Sequence, residues 1–173
     1  MLPKVEKQNI VLRKWRSGDE DAIVKHANNY EVVKYLKDSF PYPYTHADAQ
    51  RWVYFASHQA SAHFLAIEVE NEVVGCVGIE KQQDVYRKSA ELGYWIGQEY
   101  WNRGIMTHVV SEMVEYAFSK FDIVRLYAHV FEGNIGSVRV LEKAGFVQEA
   151  IQRKAVCKEG RFLDQFVYAI VRI

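Results

Sequence analysis

The sequence predicts an α/β (α+β) fold: one mixed, mostly antiparallel sheet of about six to seven strands, flanked by about four helices. Three observations predict it. The apolar period switches between two and about 3.6 residues several times along the chain. The resulting order is strand, helix, helix, three strands, helix, strand, helix, then two strands, and this interleaving suits one mixed layered domain. The 173 residues are 49% apolar and 14% aromatic. They carry no linker, repeat or low-complexity tract, so one domain over 1–173 with one core is expected.

Ile10 to Trp15 reads as a strand. Ser17-Gly18-Asp19-Glu20 offers a Ser cap with Glu three residues on, opening a helix from Asp21 to about Tyr35. Phe40-Pro41-Tyr42-Pro43-Tyr44 is an aromatic loop, because each proline pushes its predecessor toward extended geometry. Thr45-His46-Ala47-Asp48 opens a helix to about Gln59, with Ala49, Trp52, Val53 and Ala56 on one face. His63 to Val69 and Glu72 to Ile79 are strands joined by a turn at Glu70-Asn71. The near-continuous apolar run Val73 to Ile79 predicts a strand covered on both faces. Ala90 to Ile96 alternates, with Ala90, Leu92, Tyr94 and Ile96 facing one way and Glu91, Gly93 and Trp95 the other.

A long helix from about Ile105 to Phe118 carries an apolar stripe of Met106, Val109, Val110, Met113, Val114 and Ala117. Val124 to Phe131 is a strand. Asn134 to Ala144 is a short helix stopped by Gly145, with Phe146 packing back on it. Two last strands, about Ala150–Cys157 and Phe162–Ile170, are joined by the hairpin Lys158-Glu159-Gly160-Arg161.

With 22 basic and 22 acidic side chains the formal charge is zero, which argues against a nucleic-acid partner recruited by bulk phosphate attraction. No run approaches the ~20 apolar residues of a membrane span. The first residues lack the apolar core of a signal peptide, and two cysteines, Cys76 and Cys157, suit a reducing compartment. A cytoplasmic protein is expected, with neither membrane nor nucleic acid as partner. The six histidines form no Cys/His cluster or His-Glu-x-x-His helix, so no metal is expected.

The segment most able to carry chemistry is Gly97-Gln98-Glu99-Tyr100-Trp101-Asn102-Arg103-Gly104-Ile105-Met106-Thr107, joining a strand to the long helix. Unsatisfied N–H groups and the helix dipole make such a junction an anion site. Gly104 permits positive φ and close approach of a phosphate. The alternative is a plain turn: it is neither a Walker loop nor a dinucleotide fingerprint. The next strand runs into Phe131-Glu132-Gly133-Asn134-Ile135-Gly136-Ser137. Asn134 and Ser137 would lie near the first loop, or serve only as helix cap and first-turn residue.

Taken in order, Tyr94-Trp95-Ile96, Trp101 to Thr107, Asn134-Ile135-Gly136-Ser137 and Leu141-Glu142-Lys143-Ala144-Gly145-Phe146 resemble the GNAT acetyltransferase superfamily, and within it the RimJ/RimL-type branch named for acetylation of ribosomal-protein N-termini. The resemblance spans nearly the whole chain. It implies an acetyl-CoA-dependent N-acetyltransferase acting by direct transfer to a primary amine. The acceptor would be a protein N-terminus, or else a polyamine, amino acid or aminoglycoside; a non-catalytic CoA-binding domain is the rival. The implied phosphate loop is Asn102, Arg103, Gly104, Ile105, Met106 and Thr107. Trp101 and Met106 depart from the superfamily pattern, which matters little where backbone amides bind. The resemblance implies that the Ile96 amide holds the thioester carbonyl, that Asn134 contacts the pantetheine, and that Ser137 protonates the leaving sulfur. Leu141 stands where many relatives carry that acid as a tyrosine.

Glu91 is the base candidate, on the strand where several relatives place a glutamate, with Gly93 leaving room beside it. The alternatives are a strand carboxylate with no task, and a water relay. Phe40, Tyr42 and Tyr44 are candidates for shaping the acceptor groove, or else a packed plug. His129 could line the substrate site or simply pack on its strand. A polyamine site would need converging carboxylates, for which only Asp38, Asp48 and Asp164 are at hand. Monomer and homodimer both stay open.

Overall fold

The computed structural model describes residues 2–3, 9–58 and 62–172. Seven strands form one sheet in the order β1-β2-β3-β4-β5-β7-β6. The strands are β1 (Ile10–Lys14), β2 (Ala62–Val69), β3 (Glu72–Lys81), β4 (Ser89–Ile96), β5 (Arg125–Phe131), β6 (Val147–Lys158) and β7 (Arg161–Val171). The helices are α1 (Glu20–Ala27), α2 (Tyr30–Val33), α3 (His46–His58), α4 (Ile105–Lys120) and α5 (Ile135–Lys143). Every strand pair is antiparallel except β4 with β5, as expected for two strands joined by a helical crossover.

The sheet is covered on both faces. The apolar stripe of α4, with Leu141 of α5, packs on Leu92, Val74, Val77, Leu126 and Ala128. On the other face α1 and α3 bury Ile23, Ala27, Ala49 and Val53 against Trp15, Ala66 and Cys76. This explains the unbroken apolar run of β3, which is buried from Val73 to Ile79. Burying a large aliphatic side chain is worth about 1.5–3 kcal/mol, so these two layers anchor Leu92 and Ile96 of β4 in the core. Among the described residues no helix is long and apolar enough to cross a membrane.

Several details correct the sequence reading. The helix expected over 21–35 is two helices. Asn29 interrupts it with an extended backbone, and its side chain accepts from the Glu31 N–H to cap α2. Ser17 does not cap α1. Asp19 stands at that place with its carboxylate turned to Arg13, 2.7 and 2.8 Å, so an ion pair displaced the expected capping box. The last two strands are longer than expected: β6 starts at Val147, and pairing reaches Lys158 opposite Arg161 across two register shifts, at Gln148/Ala150 and Gln152/Val156. Both hairpins turn on two residues of positive φ, Glu70-Asn71 and Glu159-Gly160, the geometry that matches strand twist. The expected end of α3 at Gln59 lies outside the described residues.

Candidate active site

The feature that makes a site is where two strands stop pairing. The parallel ladder of β4 and β5 ends at Glu91 opposite Tyr127, yet the strands run on to Ile96 and Phe131. Beyond Glu91 they diverge and open the sheet. Two cavities use that opening. One, of about 520 Å³, extends from the gap to the N-terminus of α4, along Ile96, Asn102, Gly104 to Thr107, Asn134 and Ser137. The other, of about 290 Å³, lies toward α1 and α3 along Phe40, Tyr44, Glu91, Gly93, Trp95 and His129. Tyr94, Trp95, Asn134 and Ser137 border both. The second cavity draws on residues from both faces of the sheet because the splay passes between them.

The larger cavity ends on backbone. Gly104 is the N-cap of α4, with φ 76° and no side-chain cap. The first bond inside the helix runs from His108 N–H to Gly104 C=O at 3.2 Å. The N–H groups of Ile105, Met106 and Thr107 therefore have no acceptor within the helix. Asn102, two residues earlier, is also left-handed, φ 59°. Only Gly takes φ 76° without strain, and a Cβ there would meet nothing, so the space before the loop is open. The loop is tied back by Trp101 Nε1 donating to Ile96 C=O at 2.9 Å. Arg103 does not line the cavity; its guanidinium lies 5.1 Å over the Tyr100 ring, which draws it away.

At the junction Tyr94 Oη and Ser137 Oγ are 2.7 Å apart. Ser137 sits in the first turn of α5 because Asn134 caps the helix, its Oδ1 accepting from Ser137 N–H at 3.1 Å. The cap reading of Asn134 thus holds, and the same residue borders both cavities. Burial pushes the Tyr94 phenol well up, against a smaller opposing effect of its Ser137 hydrogen bond. At neutral pH it is an uncharged hydroxyl at the junction, and either of the two hydroxyls can donate to the other. Leu141 is fully buried in the core, so it has no part in proton transfer.

The smaller cavity ends on side chains. Glu91 and His129 meet at 3.2 Å, Nδ1 to Oε1. Lys37 reaches the same oxygen at 3.6 Å from an exposed position. The His129 hydrogen bond, opposed by burial and joined by the Lys37 charge, holds the Glu91 carboxyl below the usual glutamate value. Phe40 packs edge-on to Trp95 and beside Tyr44, and burial pushes the Tyr44 phenol up to about 12. Tyr42 is not in this wall; it is exposed and lies against Tyr30. A Cβ at Gly93 would meet nothing, so the floor of the cavity is open there. Cys76 borders this cavity but is buried, and burial pushes its thiol far up, which leaves it inert. Cys157 is exposed on β6, away from both cavities.

The carboxylates weighed for a polyamine lie elsewhere. Asp38 pairs with Lys158 at 2.7 Å, Asp48 bonds Thr45 at the start of α3, and Asp164 accepts from Lys154 N–H. None borders the smaller cavity. Tyr94 was missed as a side chain by the sequence reading, which used its strand only for backbone; its fourth-residue offset from Ala90 showed its face but not its partner. The contact of His129 with Glu91 has no sequence signal, since 38 residues separate them.

A splayed parallel pair ending on a bare helix N-terminus, with a second cavity across the gap, defines an acyl-group transferase of the GNAT type. The chain belongs to this family: residues 9–147 match the acetyltransferase (GNAT) domain model. It is a GNAT-type N-acetyltransferase. It is 31% identical over 175 residues to the uncharacterized N-acetyltransferase YoaA of Bacillus subtilis (strain 168), covering 99% of this chain and 98% of the relative. Among solved structures, a GNAT-family acetyltransferase from Bacillus anthracis superposes with TM-score 0.86 at 24% identity, over 99% of this chain and 98% of the other. RimL, a ribosomal L7/L12 α-N-protein acetyltransferase solved in complex with coenzyme A, gives TM-score 0.86 at 19% identity, again over 99% and 98%.

Proposed function

We propose that the protein transfers the acetyl group of acetyl-CoA directly to a primary amine, and that the acceptor is the N-terminus of a peptide or protein. The observation that carries this reading is the meeting of two cavities at the Tyr94–Ser137 hydrogen bond. The larger, with its unpaired amides at Ile105, Met106 and Thr107, suits a pyrophosphate, since anions are favoured at a helix N-terminus. The splay leaves room for an extended pantetheine arm beside β4, with the Ile96 amide near its inner end. The acyl carbon would then sit at the junction, between Ser137 and the smaller cavity.

The amine must reach this carbon unprotonated. The end of the smaller cavity that holds Glu91 and His129 takes up its proton. As the C–N bond forms, the C–S bond breaks and sulfur takes a proton from Ser137 Oγ, which Tyr94 backs with its own hydroxyl. The aromatic walls of Phe40, Tyr44 and Trp95 suit one apolar residue bearing an ammonium group, which a carboxylate and ring faces both attract. RimL, named as acting on a protein N-terminus, supports this acceptor class. A free amino acid or similar small amine is the second reading, favoured by a cavity of only about 290 Å³.

The test is calorimetric binding of acetyl-CoA, with release of CoA thiol measured against N-terminal peptides, amino acids, polyamines and aminoglycosides. Turnover on free-N-terminal peptides, and not on acetyl-capped ones, supports the reading. Binding without any turnover overturns the transferase reading in favour of a CoA-binding module, and no binding overturns the assignment of the larger cavity.

A further inference from the structure

The geometry points to His129, not Glu91, as the group that takes the proton from the acceptor amine, with Glu91 acting through it as a positioning residue. The inference deepens the transferase reading above and rests on it.

His129 stands on β5 two residues beyond the last paired position of the β4–β5 ladder, on the same face as Glu91 and bordering the acceptor cavity. Its Nδ1 is 3.2 Å from Glu91 Oε1. A carboxylate can only accept here, so Nδ1–H donates and the lone pair is on Nε2. Among the described residues Nε2 has no hydrogen-bond partner. An ionised carboxylate fixing an imidazole tautomer in this way is the arrangement that makes histidine a base. Glu91 itself is poorly placed for that task. Its Oε1 is shared by His129 and Lys37, and these contacts hold its carboxyl below the usual glutamate value.

The charged and titratable groups facing His129 are few. Glu91 comes from β4, Lys37 from the segment before α3, and Tyr127 from its own strand at 5.3 Å between rings, with Arg125 stacked beyond it. Glu80 borders the cavity from β3. β7 places Val167 opposite His129, and α5 presents Ser137.

The protons balance. A substrate ammonium gives one proton to His129 Nε2, which passes it to solvent. Its nitrogen attacks the acyl carbon, the C–S electron pair goes to sulfur, and the second N–H proton is released as the amide forms, matching the proton delivered to sulfur through Ser137.

The test uses the full chain with two variants, His129→Asn and Glu91→Gln, and the amine that gives turnover in the screen above. His129→Asn should lower kcat at pH 7 at least ~100-fold, with acetyl-CoA affinity unchanged by calorimetry. Glu91→Gln should lower kcat by less, about 10-fold. Its KM for acetyl-CoA should stay within about twofold, so the loss is one of rate. Nitrogen NMR of the ligand-free protein should show His129 protonated at Nδ1 in the wild type and losing that tautomer preference in Glu91→Gln. That readout needs no acceptor, so it judges the pairing even if no amine reacts. The inference is overturned if His129→Asn keeps its rate. It is likewise overturned if Glu91→Gln abolishes turnover more completely than His129→Asn, which would make Glu91 the base. An unchanged His129 tautomer in Glu91→Gln also overturns it. Wild-type inactivity on every amine would overturn the transferase reading instead.

Discussion

The two cavities lie on opposite sides of one hydrogen bond and are made of different material. The larger presents backbone: a left-handed Gly104, a left-handed Asn102 and the first amides of α4. The smaller presents side chains: Phe40, Tyr44, Glu91, Trp95 and His129. Backbone amides point where the local fold points them, whatever most side chains are. That cavity tolerates Trp101 and Met106 in its loop and lets Arg103 turn away onto Tyr100. The smaller cavity has no such insurance. Its wall residues come from the segment before α3, from β4 and from β5, so one substitution alters its shape or its charge. A constant cosubstrate suits the first construction and a particular acceptor suits the second.

The largest separation between the two should come from Gly104→Glu. A carboxylate and a strained φ at the loop remove at least two charge-assisted contacts worth about 1.5–3 kcal/mol each. Calorimetry should show acetyl-CoA affinity falling at least ~100-fold while the chain stays folded; retained affinity would mean that the loop is not the phosphate site. Ser137→Ala addresses the junction. It should reduce kcat roughly 10- to 100-fold while the KM for acetyl-CoA stays within about twofold, and an unchanged kcat would remove Ser137 from proton transfer. Phe40→Ala addresses the acceptor wall alone. Aromatic contacts of this kind are worth about 0.5–1.5 kcal/mol, so the acceptor KM should rise about 3- to 10-fold with the acetyl-CoA KM unmoved.

The smallest functional effect is expected far from both cavities, at Asp19. Burial disfavours its charge, but hydrogen bonds from Arg13 and the Arg16 N–H outweigh it and leave its carboxyl below the usual aspartate value. Its contribution to stability is therefore full above the unfolded-chain value of about 3.9 and is lost as pH falls through the lower folded value. Thermal melts should show wild type losing Tm below about pH 4 more steeply than Asp19→Asn, with the kinetics of both alike at neutral pH. Equal slopes would show that the Arg13–Asp19 pair adds nothing.

Much of the frame could be read from the chain because it rests on local rules. The stripe Met106 to Ala117, the double-covered run of β3 and the turn at Glu70-Asn71 each follow from periodicity or turn geometry within about a dozen residues. The errors came where one local contact prevailed over another. Ser17 lost the cap because Arg13 claimed Asp19, and the helix over 21–35 broke where the Asn29 side chain capped a new turn. The acceptor wall was half visible: Phe40 and Tyr44 face it, while Tyr42 turned to Tyr30.

By itself, the sequence determined the order of strands and helices, the glycine before α4, and the Asn134 cap that places Ser137 in a first turn. Those depend on neighbours in the chain. Only the tertiary structure decided that the β4–β5 ladder ends at Glu91, that Tyr94 meets Ser137, and that Glu91 meets His129. Each joins residues 36 or more positions apart, and no local propensity encodes such distances. They are set by how α4 and α5 pack on one face of the sheet and α1 and α3 on the other.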